Sequence, residues 1–212
     1  MPDDKPVLVV IAGPNGSGKT EITKILRSRY AWTEGLVEIN PDNIAQEKFG
    51  GWNDPDAVIK AANLAEEMRE ECLTKGQGLL FETVLSIPEK VDYICRAKEA
   101  GYFVRFVYVA TNSFEINSSR VAWRVELGGH DVPLDKIRSR YVRSLKQAVN
   151  AARIADRAYF LDNSPDAEDS DKINPLTIFR TVDGVVVKTY INEKDFPLWT
   201  REIYKALQPS EK

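Results

Sequence analysis

The phosphate-binding pattern G-x-x-x-x-G-K-[ST] is matched without a mismatch by Gly13-Pro14-Asn15-Gly16-Ser17-Gly18-Lys19-Thr20. Its glycines allow successive backbone N–H groups to turn towards the oxygens of a phosphate. The loop opens a helix, and the dipole at a helix N-terminus favours the same negative charge. In this pattern Lys19 reaches the β- and γ-phosphates and the Thr20 hydroxyl ligates Mg²⁺. We therefore predict that residues 13–20 bind ATP with Mg²⁺.

The sequence around this loop predicts an α/β fold. An apolar run from Pro6 to Ala12 is typical of a strand that is buried on both faces, and a helix is expected from about Lys19 to Tyr30. Further strand and helix patterns alternate up to residue 161, which implies βαβ crossovers and a parallel sheet. We predict a P-loop NTPase with three α/β/α layers and a mainly parallel sheet of five strands.

The C-terminal part of the chain has a different pattern. Two β-like runs flank Asp183-Gly184, which predicts a hairpin over residues 176–191, and a short helix follows at about 196–207. The polar, acidic stretch 165–174 is expected to be an exposed loop. We expect a single domain over residues 1–212. Its predicted parts are a core at about 6–163, a lid at about 114–157 and a hairpin–helix appendage at about 175–208.

Composition excludes several classes of protein. The chain has 212 residues, of which 43% are hydrophobic, so it is not disordered as a whole. Its 29 basic and 32 acidic residues give a net charge of −3, which argues against a general nucleic-acid or membrane-surface binder. No apolar run approaches the length of a membrane span, and the two cysteines, Cys72 and Cys95, favour buried free thiols. We expect a cytoplasmic protein that binds neither nucleic acid nor membrane.

Polar residues follow the predicted strands at the edge where ligands bind in open parallel sheets. Asp42 follows the second strand, and Glu82 and Thr83 follow the third. Asp42 is the candidate base for an acceptor hydroxyl, and Glu82 is a candidate for orienting the substrate or for holding Mg²⁺ through water. Thr83 is a candidate for a hydrogen bond to the substrate. The simpler alternatives are a helix cap or turn at Asp42, a solvated strand end at Glu82 and a turn cap at Thr83.

Basic residues dominate the segment between the fourth and fifth strands, where the connection Gly128-Gly129-His130-Asp131-Val132-Pro133 joins two predicted helices. Such a pair of helices could close over a triphosphate and supply positive charge during transfer. A solvated basic helix face is the alternative, and for His130 we favour a structural role over that of a base. The basic residues are Arg120, Arg124, Lys136, Arg138, Arg140 and Arg143.

Four stretches together resemble the zeta-toxin family of P-loop kinases, and in particular its short stand-alone members. They are GPNGSGKT at 13–20, NPD at 40–42, FET at 81–83 and RVAWRVELGGHDVPLDKIRSRYVRSL from Arg120. Studied toxins of this family phosphorylate a hydroxyl of UDP-N-acetylglucosamine with ATP and Mg²⁺. The resemblance implies the same reaction class here, and by analogy a partner antitoxin.

The resemblance also implies roles for individual residues. Lys19 and Thr20 match the phosphate-binding lysine and the metal-binding hydroxyl, Asp42 matches the catalytic base, and Glu82 matches an acid in the substrate pocket. Among the lid arginines, Arg120 and Arg124 are the first candidates for catalysis, and Arg140 is the next, as a nucleotide contact.

The favoured hypothesis is therefore an ATP-dependent kinase that acts on a hydroxyl of a small metabolite, such as a nucleotide sugar. A kinase of 5′-hydroxyl nucleic-acid ends needs nearly the same parts, but the acidic balance and the lack of an aromatic–basic groove argue against it. A non-catalytic, nucleotide-dependent interaction module is the third hypothesis.

Overall fold

The computed structural model describes residues 5–51, 54–164 and 175–209, and the predicted loop at 165–174 lies outside these ranges. One sheet, in the order β2-β3-β1-β4-β5-β6-β7, forms the centre of the molecule. Its first five strands pair in parallel, as the alternating pattern predicted. The strands are β1 (Val7–Ala12), β2 (Val37–Ile39), β3 (Leu79–Thr83), β4 (Phe103–Ala110), β5 (Arg157–Asp162), β6 (Leu176–Val182) and β7 (Val185–Thr189).

Helices cover both faces of this sheet, which confirms the predicted three-layer α/β/α class. In β1, Leu8 and Val10 face a large apolar core beneath α3, α4, α6 and α7, whereas Val9 and Ile11 pack against α1. This alternation is the period of a strand that is buried on both sides. The helices are α1 (Lys19–Arg29), α2 (Pro41–Lys48), α3 (Pro55–Lys75), α4 (Glu89–Glu99), α5 (Phe114–Glu126), α6 (Leu134–Ile154) and α7 (Leu198–Ala206).

The predicted count of five strands is right for the parallel part of the sheet only. β6 and β7 form the predicted hairpin, but β6 also pairs antiparallel with β5, so the sheet has seven strands. Pairing covers the edge that β5 would otherwise expose, and the Phe179 ring of β6 stacks on Phe160 of β5 with centroids 4.4 Å apart. The hairpin is therefore a continuation of the core.

Helix α2 was not predicted, and it determines where Asp42 lies. The Asn40 side chain accepts a hydrogen bond from the Asp42 backbone N–H at 2.9 Å, and Pro41 occupies the first helical position. An Asn cap followed by Pro is a helix-start signal, although the same residues also suit a turn. The capped start fixes the backbone of Asp42 directly after β2.

Both cysteines are free and lie on helices, as predicted. Cys72 is buried in α3, whereas Cys95 of α4 is only partly buried. Of the helices within residues 5–51, 54–164 and 175–209, none combines the length and the apolar character that crossing a membrane requires.

Candidate active site

A cleft of about 700 Å³ opens at the carboxyl ends of the parallel strands and brings together most of the predicted site residues. It is bounded by the loop after β1, the start of α2, the end of β3 and the two helices α5 and α6. Gly13, Pro14 and Ser17 belong to the same loop but do not line the cleft. The predicted site residues that line the cleft are Asn15, Gly16, Gly18, Lys19, Thr20, Asp42, Glu82, Thr83, Arg120, Arg124 and Arg140.

The glycines of the loop are required by its surroundings. Gly16 has φ +76°, and a Cβ there would lie 2.4 Å from the Asn117 carbonyl oxygen of α5. Gly18 caps α1 with φ +94°, and a Cβ would lie 2.2 Å from Nδ2 of Asn163. That amide donates to the Ser17 carbonyl at 2.8 Å. The loop is therefore clamped between α5 and the residue that follows β5, which leaves no room for side chains at these positions.

Lys19 lies folded against the loop. Its Nζ donates to the carbonyl oxygens of Gly13 and Pro14, each at 2.9 Å. Burial lowers the pKa of Lys19 to about 8, although the charges of Glu82 and Asp42 oppose this shift. Two of the predicted site carboxylates are therefore close enough to Lys19 to influence its ionisation.

Glu82, the penultimate residue of β3, lies beside α1, the helix that follows the phosphate-binding loop. The Thr20 hydroxyl donates to its Oε2 at 2.9 Å and the Thr23 hydroxyl donates to its Oε1 at 2.8 Å. Burial raises the pKa of Glu82, while the Lys19 charge opposes the rise. Sequence reasoning missed Thr23, which lies one helical turn after Thr20 and so shares its face of α1. Glu82 is thus held by its neighbours and is not an idle strand end.

The Thr83 side chain caps a turn, which was the simpler of the two interpretations of this residue. Its Oγ1 accepts a hydrogen bond from the Leu85 N–H at 3.0 Å, and its carbonyl accepts from the Gly13 N–H at 3.2 Å. Leu85 is buried and has φ +54°, a conformation that side chains rarely adopt. The hydroxyl therefore stabilises a strained turn at the floor of the cleft.

The basic residues of the lid divide into two groups. Arg120, Arg124 and Arg140 line the cleft, whereas Lys136, Arg138 and Arg143 are exposed and do not. Arg124 donates to the His130 carbonyl at 2.6 Å, so the turn between the helices holds one of the inward arginines. The prediction of a solvated basic face thus describes only the outer group.

The lid is anchored more firmly than a hinged pair of helices would be. Ser144, Ala148, Ala151 and Ala152 of α6 are buried, and the Tyr141 hydroxyl donates to the Thr111 carbonyl at 2.7 Å. The predicted lid boundary of 114–157 therefore includes a core segment. The small residues in the second half of α6 pack closely against the sheet, so this half belongs to the core. Only α5 and the first half of α6 lie over the cleft.

Three buried side-chain donors in or near the loop have no hydrogen-bond partner within the described ranges. They are Arg120 Nη1, Asn117 Nδ2 and Ser17 Oγ, and of the three residues only Arg120 lines the cleft. Burial lowers the pKa of Arg120, and the charge of Asp162 opposes this. Unpaired buried donors are costly, so the Arg120 guanidinium at the cleft is suited to a ligand rich in acceptor oxygens. Asn117 has no motif that would have identified it from the sequence.

Several known proteins are similar to this chain in sequence or in fold. A protein of Haemophilus influenzae described only as uncharacterized is 29% identical over 133 residues, which are 63% of this chain and 91% of that protein. The structure of AvrRxo1-ORF1:-ORF2 with ATP is similar with a TM-score of 0.65 and 18% sequence identity. The match covers 98% of this chain but only 65% of the chain compared. A structure of PezAT, a toxin–antitoxin system of Streptococcus pneumoniae, is similar with a TM-score of 0.57 and 16% sequence identity. The match covers 99% of this chain and 80% of the chain compared.

The model of the Zeta toxin family matches residues 1–175, which include the phosphate-binding loop, Asp42, Glu82 and the arginine-bearing helices. The solved structures share the fold at low identity. The chain belongs to the zeta toxin family and has the fold of the P-loop kinases.

Proposed function

We propose that this protein transfers the γ-phosphoryl group of ATP to a hydroxyl group of a small metabolite. The observation that carries the proposal is that one cleft contains a phosphate-binding loop, the carboxylate of Asp42 and three inward arginines. Phosphoryl transfer needs these groups, because the phosphates must be held, the acceptor hydroxyl positioned and the developing charge neutralised. UDP-N-acetylglucosamine is one candidate acceptor within this class.

ATP would bind through the backbone N–H groups of the loop and through Lys19. The ammonium already lies at the loop, bound to two of its carbonyl oxygens. The unpaired donor of Arg120, which lines the cleft, is a further partner for phosphate oxygens.

Magnesium fits the residues beside the loop. Mg²⁺ prefers oxygen ligands and in kinases is held by one or two protein groups together with phosphates and water. The Thr20 hydroxyl and the Glu82 carboxylate supply such oxygens, and the 2.9 Å bond between them keeps them side by side. When bound, Mg²⁺ would neutralise negative charge on the phosphates.

Asp42 is the proposed base. It would accept the proton of the acceptor hydroxyl while the hydroxyl oxygen bonds to the γ-phosphorus. The bond from the γ-phosphorus to the bridging oxygen breaks at the same time, and ADP leaves with the electron pair. Arg120, Arg124 and Arg140 would stabilise the charge that spreads over the transferring group.

The test is a screen of ADP release with sugars, nucleotide sugars and nucleosides as acceptors, followed by Asp42→Asn. We expect at least one acceptor to stimulate ADP release, and the variant to lower that turnover about 10²- to 10⁴-fold while nucleotide affinity is kept. Asp56→Asn is a matched control, because Asp56 is also an exposed residue in the first turn of a helix, here α3.

Two results would count against the proposal. Full acceptor-dependent turnover in the Asp42→Asn variant would remove Asp42 from the chemistry. Stimulation only by oligonucleotides with a 5′-hydroxyl end would instead favour the nucleic-acid kinase, and tight nucleotide binding without transfer to any acceptor would favour a binding module.

A further inference from the structure

The sheet has two faces, and the face against which α1 packs is only partly covered. The apolar cluster on this face contains Ile22, Ile25 and Leu26 of α1, together with Trp32 and Leu36 from the segment that follows it. The opposite face is covered by α3, α4, α6 and α7. Among the described helices only α1 contributes to the first cluster, so β6 and β7 have no described helix over that side.

Four basic side chains lie on this side of four neighbouring strands. Arg105 of β4 is directly opposite Arg157 of β5, and Arg180 of β6 is directly opposite Lys188 of β7. Tyr159, which packs against the α1 cluster, lies two residues after Arg157 and directly opposite Arg180, so both pairs share one face of the sheet. We refer to Arg105, Arg157, Arg180 and Lys188 as the basic sheet face.

The basic sheet face concentrates positive charge that its neighbours do not neutralise. Like charges directly opposite each other across a sheet are destabilising. The basic sheet face contains two such pairs, one from β4 to β5 and one from β6 to β7. None of the ion pairs formed among the described residues involves any of its four members. The whole chain has a net charge of −3, so this excess of positive charge is local.

Arg105 is the most buried member of the basic sheet face, with 8% of its surface exposed. Its Nε has no hydrogen-bond partner within the described ranges, and the same is true of the Arg180 Nε. Burial lowers the pKa of Arg105, the Tyr159 hydroxyl opposes this shift, and the charge of Arg157 lowers the pKa further. Desolvated guanidinium groups with unpaired donors are unfavourable unless an anion binds to them.

Aromatic rings hold the arginines of β4 and β5 in place. The Arg105 guanidinium lies over the rings of Trp32 and Phe103, with 4.5 and 5.1 Å to the ring centroids. The Arg157 guanidinium lies over the same Phe103 ring at 5.8 Å. These contacts restrict the side chains before a partner arrives, which lowers the entropic cost of binding.

We propose that the basic sheet face binds an acidic segment of a partner protein. Each guanidinium fork matches a carboxylate, and the lysine ammonium supplies a further donor. The face spans four strands, a width of about 14 Å, which an extended segment of about five residues covers. No member of the face lines the cleft, so this surface is separate from the proposed kinase site.

An acidic protein segment suits this face better than a nucleic acid does. Single-stranded nucleic acids are held by stacking of their bases on aromatic rings. Here the rings of Trp32, Phe103 and Tyr190 each already have a cation over them. A nucleic acid longer than the face would also meet the acidic remainder of a chain whose net charge is −3. A short acidic segment avoids this repulsion, because its charge ends where the face ends.

The test measures the fluorescence anisotropy of a labelled peptide of five Glu-Thr repeats, which in an extended conformation places its carboxylates on one side. The comparison probes are a peptide of five Gln-Thr repeats and a ten-nucleotide oligothymidine. We expect the glutamate peptide to bind at least about tenfold more tightly than the glutamine peptide at low salt, and to lose affinity as salt is added. Saturation of the cleft with a non-hydrolysable ATP analogue should leave this binding unchanged.

Arg157→Gln combined with Lys188→Gln should weaken binding of the glutamate peptide at least about tenfold, and both side chains are exposed, so the fold should persist. Lys60→Gln combined with Lys146→Gln is the matched control, because it removes the same charge from exposed positions of α3 and α6. Arg157→Glu gives a second readout. It places a carboxylate opposite Arg105, so it should raise the urea midpoint of unfolding and abolish peptide binding.

The inference is overturned if the glutamate peptide binds no more tightly than the glutamine peptide, or if the control pair weakens it as much as the pair on the face. Tighter binding of oligothymidine would assign the face to nucleic acid instead, and displacement of the peptide by the ATP analogue would place it in the cleft. Binding that appears only after the acids of residues 165–174 are replaced by amides would assign the face to this chain's own acidic stretch. Each of these three results also contradicts a partner segment on the basic sheet face.

Discussion

Replacement of Glu82 by Gln should change the pH dependence of nucleotide binding through Lys19. Glu82 is the foremost of the charges that favour the protonated form of Lys19, whose pKa burial lowers to about 8. The loop binds phosphate best when this lysine is protonated. In the unaltered protein we therefore expect nucleotide affinity to decrease as the pH rises through about 8, where half of the lysines are neutral.

The size of the effect follows from the charge that is removed. Removal of a nearby opposite charge disfavours the protonated form of a lysine by a factor of about 10 or more, so the Glu82→Gln variant should lower the pKa of Lys19 below its present value. At pH 8, where half of the lysines of the original protein are protonated, the protonated fraction and with it the affinity should therefore fall at least about fivefold.

The assay is the dissociation constant of ADP with Mg²⁺ between pH 7 and 10, measured by fluorescence or calorimetry. The matched control is Glu21→Gln, because Glu21 also lines the cleft but is paired with Lys24 at 2.7 Å. Affinity that is independent of pH in the unaltered protein, or a Glu82→Gln profile that coincides with the original, would refute this reasoning about Lys19.

Three further variants test separate contacts. Gly16→Ala should abolish nucleotide binding in an equilibrium assay, because its Cβ would lie 2.4 Å from a backbone oxygen of α5; normal affinity would show that the loop is not clamped. Trp199→Phe should lower the free energy of unfolding in urea by about 1.5–3 kcal/mol, since Nε1 donates to Asp162 Oδ2 at 2.6 Å; an unchanged midpoint would contradict this. Thr23→Val should lower acceptor-dependent kcat about 10-fold by releasing one oxygen of Glu82, and unchanged kcat would limit Thr23 to a structural role.

The features that could be predicted from the sequence are local or follow from sheet geometry. Residues 13–20 are contiguous, so their pattern alone indicates a phosphate-binding loop. Asp42 and Glu82 are distant in the sequence, but Asp42 follows β2 and Glu82 is near the end of β3, and the carboxyl ends of these parallel strands meet at one edge. The inward direction of Arg120 and Arg124 is shared because they lie four residues apart on α5.

Other features depend on pairings that no local pattern specifies. The hairpin was predictable from its turn, but its pairing with β5 depends on contacts such as Phe160 with Phe179. Arg69 of α3 lies over the rings of Phe81 and Tyr93, which belong to later elements of the chain, and in the sequence Arg69 resembles any exposed basic residue. Its burial is decided by the rings of β3 and α4 that cover it.

Asp42 should lie across the cleft from the terminal phosphate of bound ATP. A crystal structure with Mg²⁺ and a non-hydrolysable ATP analogue measures this distance directly. We predict that the γ-phosphate contacts Lys19 and lies about 6–7 Å from the Asp42 carboxylate, which leaves room for one hydroxyl in hydrogen-bond reach of Asp42 and in line with the phosphorus. A γ-phosphate that points away from Asp42, with no space for an acceptor between them, would contradict the account.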